Sequence, residues 1–299
     1  LKAIDLFSGL GGFTLGACMA GVSTVWAGNH WREACDCHRL NHPETEHVCQ
    51  DLHQADWRTL PAFDIGLSSP ACQGHAKARG KDLPHHDAAR STAWAVVSCT
   101  EYHRPPVFVV ENVVEFLKWT LYPAWRAAME ALGYSLSPHI LDAADHGIPQ
   151  HRVRVFIVCT LSKAPLVLTL PRRDHVPVAG ILEARGEWSA VSTMCATTRA
   201  RVKAGRKQHG HEFLIAYYGT ARGGRSLARP LGTVTTRDRY ALVRGRSMRM
   251  LSVAEYRAAM SFPATYRLPA NRKLAKHLLG NAVCPVQACD ILTAIRAAV

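Results

Sequence analysis

Asp5-Leu6-Phe7-Ser8-Gly9-Leu10-Gly11-Gly12 is the stretch that decides the fold of this 299-residue chain. It closes a β-rich apolar run at residues 3–7 and opens an amphipathic stretch at 13–20, so it reads as a strand, a glycine turn and a helix in succession. Glycines let the backbone turn tightly and come close to a ligand, and a helix N-terminus favours a carboxylate or phosphate. The spacing differs from the phosphate-cradling GxxxxGK[ST] pattern, and a glycine turn by itself also serves merely to join strand to helix.

Outward from that turn the same alternation continues. Residues 24–27, 47–49, 63–67, 107–110 and 153–159 read as strands, and 88–102 and 123–132 read as amphipathic helices. Strands alternating with helices predict a doubly wound, Rossmann-like α/β sheet, whose ligands bind at the carboxyl ends of the strands. Beyond residue 160 prolines and glycines punctuate short segments, with strands expected at 212–218 and 240–243, which predicts a second, smaller, loop-rich basic domain. Helical periodicity returns at 251–262, where Ser252 and Glu255 have the spacing of a capping box. An apolar helix over 282–299 is expected to dock back on the first domain. The predicted organisation is therefore a catalytic domain at 1–160, a recognition domain at 161–248, a hinge segment at 249–273 and a returning helical segment at 274–299.

Composition narrows the class. A hydrophobic content of 48% fills a substantial core and excludes a disordered tail. No apolar run approaches the roughly 20 residues of a membrane helix, so no membrane association and a cytoplasmic location are expected. The ten cysteines are scattered, several within apolar segments, which suits reduced thiols better than a disulfide framework. Cys35, Cys37, His38, His42, His47 and Cys49 suggest zinc, yet the CxC spacing lacks a second paired unit, so no metal is predicted. The net charge of +13 is concentrated: residues 172–249 hold 16 Lys and Arg against 5 Asp and Glu, while 1–171 hold 14 against 16. A solvated basic face is the plain reading, but so much Arg in one segment is better explained by a polyanionic partner such as nucleic acid.

Three segments carry chemistry. Cys72 sits in a proline-led turn with hydrophilic flanks, which favours a reactive thiol over a buried structural one. Glu111 directly follows four apolar strand residues, where desolvation raises a carboxyl pKa and suits it to donate a proton near neutrality, while Asn112 is the better helix cap. Arg152 and Arg154 fall on one face of a strand, where guanidinium groups grip a carbonyl oxygen or a phosphate.

These segments, in this order, resemble the DNA (cytosine-5) methyltransferase family over essentially the whole chain. DLFSGLGG at 5–12 is similar to its first motif, PACQ at 70–73 to its nucleophile motif, ENV at 111–113 to its glutamate motif and QHRVR at 150–154 to its arginine motif. RMLSVAEYRAAMSFP at 249–263 resembles the segment after its recognition domain, and GNAV at 280–283 its last motif. The resemblance implies a site-specific transfer of a methyl group from S-adenosyl-L-methionine to carbon 5 of a flipped cytosine in double-stranded DNA, for restriction-modification or phage self-protection. It implies Cys72, Glu111, Arg152 and Arg154 as catalytic residues. Around the cofactor it implies Phe7, Gly9, Leu10, Gly11, Gly12, His30, Trp31, Asp51, Leu52, Pro70, Asn281 and Val283. Nucleic-acid contacts are expected from Gln73, Lys77 and Arg79 and, in the basic segment, from Arg199, Arg201, Arg222, Arg225, Arg237 and Arg239. A monomer is expected, with a cognate restriction endonuclease as a possible partner. One branch of the family acts on transfer RNA; the Arg-rich domain favours duplex DNA read through its grooves. A non-catalytic DNA-binding relative is the third reading, and the complete set Cys72, Glu111, Arg152 and Arg154 argues against it.

The chain departs from the family at His30, where an acidic residue usually holds both ribose hydroxyls, at Ala71 in place of proline, and at Ala76 in place of a hydroxyl residue. Neutral imidazole accepts one hydrogen bond and imidazolium none. S-adenosylmethionine should therefore bind more weakly as His30 protonates and in His30→Ala, measured by calorimetric titration; equal affinity in that variant rules out a ribose contact.

Overall fold

The computed structural model describes residues 1–71, 92–218 and 221–298, in two compact units. Its strands are β1 (Lys2–Leu6), β2 (Ser23–Asn29), β3 (Glu46–Cys49), β4 (Ile65–Ser68), β5 (Val107–Asn112), β6 (Ser135–Asp142), β7 (Val153–Thr160), β8 (Ser189–Ala190), β9 (Glu212–Ala216), β10 (Gly224–Arg225), β11 (Tyr240–Arg244) and β12 (Ser247–Met250). The α-helices among the described residues are α1 (Gly12–Met19), α2 (Arg32–Asn41), α3 (Ala93–His103), α4 (Tyr122–Ala131), α5 (Ala196–His209), α6 (Val253–Ala259), α7 (Arg272–Asn281) and α8 (Pro285–Ala298).

The first unit takes in Leu1–Asp142, Val153–Arg172 and Ala282–Val299. Its seven-stranded sheet runs β3-β2-β1-β4-β5-β7-β6, parallel through β5 and antiparallel for the last two strands. Strand order reverses between β1 and β4, which makes the crevice at their carboxyl ends the topological switch point. Side-chain alternation builds two cores from the same strands: Phe108 and Val110 of β5 face the α3 and α4 side with Trp125 and Met129, while Val107 and Val109 face the α1 and α8 side with Phe13 and Ile291. The expected α/β sheet is what the chain forms. β6 is an addition to it. No strand is expected over SLSPHILD from the sequence, which carries Pro138, but among the described strands β6 pairs only with β7, and an edge strand tolerates a proline.

Helix α1 meets α8 through two glycines. A Cβ on Gly12 would lie 2.0 Å from the carbonyl oxygen of Val283, and one on Gly16 would lie 2.5 Å from the Cβ of Ala288 and 2.6 Å from the Pro285 carbonyl oxygen. At four-residue spacing both glycines lie on one face of α1, and they let the two backbones touch.

The second unit takes in Ala143–Arg152 and Arg173–Asn281. The segment set apart as a hinge, 249–273, lies inside it, whereas 161–172 belongs to the first unit. Its antiparallel sheet runs β10-β9-β11-β12-β8 over a core of Val202, Phe213, Ile215, Ala241, Val243 and Met248. The basic stretch is less loop-rich than its punctuation suggests. Helix α5 buries only Thr198, Val202 and Gly205, so its helical stripe carries almost no apolar signal among its charges. Ser252 and Glu255 form the expected capping box on α6, and the same carboxylate receives two bonds from the buried Arg249 guanidinium, at 2.8 and 2.6 Å.

Gly16→Ala should destabilise the protein by about 1–3 kcal/mol, because neither Ala288 nor the Pro285 carbonyl has room to move away. Urea denaturation would show it as a lower midpoint with an unchanged slope.

Candidate active site

The glycine turn after β1 is held in an unusual backbone. Phe7, Gly9 and Gly11 have φ of 59°, 53° and 93°, and only the two glycines adopt this region without strain. Ser8 N–H donates to the Gly28 carbonyl at 3.1 Å and Gly11 N–H to the Ser8 carbonyl at 2.9 Å, which ties the turn to β2. Helix α1 then starts on Gly11 with no side-chain cap. Among the described residues, a Cβ on Gly9 would approach nothing nearer than the Phe7 carbonyl oxygen at 3.8 Å.

The other cofactor candidates of the first unit cluster at neighbouring strand ends. After β2, Asn29 accepts from Trp31 N–H at 2.9 Å, and His30 stands exposed between them. After β3, Asp51 accepts from the backbone N–H of His53 at 3.0 Å and from its ring at 2.9 Å. The amide above all, then the ring, lowers the Asp51 pKa, and His30 adds to the effect. Leu52 is buried against Gly28, and Leu10 is buried in the turn. Val283 meets Gly12 as described above, whereas Asn281 is exposed in the second unit.

At the ends of β4 and β5 the Asn112 side chain bridges the two strands. Its amide donates to the Pro70 carbonyl at 3.1 Å and its oxygen accepts from Val113 N–H at 2.8 Å. This corrects the expectation that Asn112 caps a helix: the short 3-10 turn Val114–Lys118 starts from Val113, without a side-chain cap. Glu111, 7% exposed, forms an ion pair with Arg154 Nε at 3.3 Å, across the antiparallel β5–β7 pairing. Arg152 does not share a strand face with Arg154. It precedes β7, belongs to the second unit, and donates to the carbonyls of Val234 and Gly280 at 3.2 Å each. Cys72, Gln73, Lys77, Arg79 and Ala76 lie outside the described residues.

The candidate arginines of the basic segment divide into two sets. Arg199 donates to the Ser192 and Met194 carbonyls, Arg201 to that of Ala221 and Arg239 to that of Tyr217. Arg225 lies over the Tyr240 ring, and Arg222 and Arg237 are exposed.

One group near the turn was not singled out from sequence. Asp5 is fully buried, accepts from the Thr14 hydroxyl at 2.8 Å, and its Oδ1 has no partner. Burial pushes its pKa up to about 7, against the opposing bonds from Thr14. Its position one residue before the strand ends, in alternation with Ile4 and Leu6, was the available signal.

Against solved structures, the chain superimposes with a TM-score of 0.75 on a candidate DNA modification methyltransferase encoded within an E. coli prophage, over 100% of this chain and 99% of that one at 19% identity, which shows a shared fold. Residues 1–297 match the model of the C-5 cytosine-specific DNA methylase family, and the chain belongs to that family. It is similar to the type II methyltransferase M.NlaX of Neisseria lactamica, 26% identical over 95% of this chain and 92% of that protein. It is also similar to M.AgeI of Thalassovita gelatinovora, 32% identical over 52% of this chain, a match that spans only 39% of that relative's length.

Because the Asp5 pKa is raised on folding, its stabilising effect is complete below the unfolded value of 3.8 and is lost as pH rises through about 7. The unfolding free energy of Asp5→Asn, relative to wild type, should rise between pH 5 and pH 8 by up to about 3 kcal/mol. Urea titrations at both pH values test this, and an identical difference at each would show that the carboxyl ionises freely.

Proposed function

We propose that this protein methylates carbon 5 of cytosine in a specific double-stranded DNA sequence, with S-adenosyl-L-methionine as donor and Cys72 as nucleophile. The observation that carries the reading is the pairing of buried Glu111 with half-buried Arg154 beside a strand end that Asn112 ties to Pro70, two residues before Cys72.

The residues suit that cofactor. The turn offers open backbone at Gly9, the uncapped amides at the start of α1 suit a carboxylate, and the unpartnered Oδ1 of Asp5 suits a cation. Phe7, Trp31, Asp51, Leu52 and Pro70 would hold it, with Gly11, Gly12 and Val283 shaping the cradle. When bound, it supplies an electrophilic methyl group.

Carbon 5 of cytosine is a weak nucleophile until a thiolate adds at carbon 6, which is the role of Cys72. Glu111 holds the exocyclic amine and delivers a proton to N3, and Arg154 binds the oxygen at position 2, so both stabilise the enamine that addition creates. Carbon 5, once methylated, loses its proton to a base, N3 returns its proton to Glu111, and elimination across carbons 5 and 6 releases Cys72 as a thiolate. Arg152 acts at a distance, fixing the Val234 and Gly280 backbone. None of these contacts is reachable in a stacked duplex, so the base is flipped out. The excess positive charge of residues 172–249 supports DNA as the partner, with Arg222, Arg225 and Arg237 the freest of the named arginines to meet phosphates or bases. Restriction-modification or phage self-protection, a cognate endonuclease, a monomer and a cytoplasmic location complete the reading.

Labelled methyl transfer from S-adenosylmethionine to mixed-sequence duplex DNA, run beside transfer RNA, tests it. Transfer to DNA that Cys72→Ala abolishes is expected. Transfer to RNA alone would move the substrate class, and DNA binding without transfer would identify a non-catalytic relative.

A further inference from the structure

A line of buried polar groups runs from beneath the glycine turn toward the edge of the first unit. Asp5 Oδ2 accepts from Thr14 Oγ1 at 2.8 Å, Thr14 Oγ1 lies 3.1 Å from His38 Nε2, and His38 Nδ1 lies 2.7 Å from His47 Nε2. Asp5 and His38 are fully buried and Thr14 nearly so, whereas His47 on β3 is only half-buried. The line therefore has one closed end and one end near solvent.

Hydrogen counting fixes its direction. Thr14 has a single hydroxyl proton, and an Asp5 carboxylate must receive it. Thr14 Oγ1 then accepts from His38 Nε2–H, which leaves His38 Nδ1 as an acceptor for His47 Nε2–H. Protonation of Asp5 on Oδ2, the oxygen that has a partner, reverses each bond: Oδ2–H donates to Thr14, Thr14 to His38 Nε2, and His38 Nδ1–H to His47 Nε2. Neutral imidazole carries one N–H, so the tautomer of His38 follows the charge of Asp5.

The surroundings keep the imidazoles neutral. Burial lowers the His38 pKa well below the usual histidine value, and His42 just past the end of the same helix, 4.7 Å away ring to ring, and His47 lower it further. Burial also lowers the pKa values of His42 and His47, and Arg39 adds to the effect on His47. Beside Asp5 the neighbouring strands present Ala27 of β2 and Leu67 of β4, neither of them charged.

We infer that Asp5, Thr14, His38 and His47 form a proton wire whose direction is locked to the charge of Asp5, and that a cationic ligand on the glycine turn sets it in the carboxylate direction. The second half rests on the reading of S-adenosylmethionine as cofactor. When the ligand binds to protonated Asp5, that proton passes to Thr14, the Thr14 proton to His38 Nε2, and the His38 Nδ1 proton to His47 Nε2. His47 releases its Nδ1 proton to buffer, so one proton leaves for each Asp5 ionised.

Histidine-labelled ¹⁵N NMR of the full chain reads the tautomer directly. In ligand-free protein His38 should carry its proton on Nε2 at pH 8 and on Nδ1 at pH 6. Thr14→Val should abolish the swap and Thr14→Ser should retain it. Saturating S-adenosylmethionine should lower the midpoint by about one pH unit, and its affinity should tighten up to about tenfold from pH 6 to pH 8 in wild type and less in Asp5→Asn. One fixed His38 tautomer across this range in the ligand-free protein overturns the wire. A swap whose midpoint bound S-adenosylmethionine leaves unmoved overturns the coupling. No binding of S-adenosylmethionine at either pH overturns the coupling together with the cofactor reading, and the ligand-free swap still decides the wire.

Discussion

Backbone contact between Gly12 and Val283 is the constraint on which the rest of the first unit depends. The glycine turn has three residues at positive φ, and such a turn keeps its shape only when its ends are fixed. One end is β1, in the middle of the sheet. The other is the first residue of α1, pressed against the Val283 carbonyl with no room for a methyl group. The residues just before α8 therefore belong to the candidate cofactor cradle as much as the turn does, although some 270 residues of sequence separate them. Gly16 extends the same contact one helical turn further, and together the two glycines fix α1 against α8.

Buried charge in the two units is handled in different ways, and the difference separates scaffold from site. In the second unit Arg249 donates to Glu255 and to the Glu183 carbonyl, although its Nε has no partner, and Lys276 donates to Asp238 and to the Leu251 carbonyl, so each of these charges meets an opposite one inside the fold. A buried charge paired in this way with an opposite one is committed to the fold. Glu111 and Arg154 instead meet near the ends of β5 and β7, at 3.3 Å. Asp5 forms no ion pair among the described residues and keeps one oxygen without a hydrogen-bond partner. Charges left incompletely matched inside a protein cost stability, and they gather where a ligand completes them.

Much of this was legible in the sequence because the strands alternate or run apolar: β1, β2, β4, β5 and β7 announced themselves, and the order of motifs fixed the family. What escaped has identifiable causes. Strand β6 hides behind Pro138, which only its edge position permits. Helix α5 hides because Thr198, Val202 and Gly205 are too small or too polar to mark a buried stripe, and packing of Gly205 against Phe213 supplies the burial. Arg152 and Arg154 look equivalent by alternation, yet strand β7 begins at Val153, and the register that sends one guanidinium to Val234 and Gly280 is set by residues far along the chain. The roles of Asp5, His38 and His47 depend on three elements meeting, which no local pattern encodes.

Net positive charge also overstates how much of the basic segment is free to meet a polyanion. Arg199, Arg201 and Arg239 donate to main-chain carbonyls, and Arg201, Arg225 and Arg239 lie over the rings of Tyr217, Tyr240 and Tyr218. A guanidinium stacked on a ring and bonded on one edge keeps its charge but loses rotational freedom. Arg199, Arg201 and Arg239 contribute to the electrostatic field that draws a phosphate backbone in, while donors of each are occupied in shaping the surface. Contacts that discriminate one base from another need free donors, which leaves that task to side chains outside those carbonyl bonds, among them Arg222 and Arg237. The segment thus uses one residue type for two purposes, and composition registers only their sum.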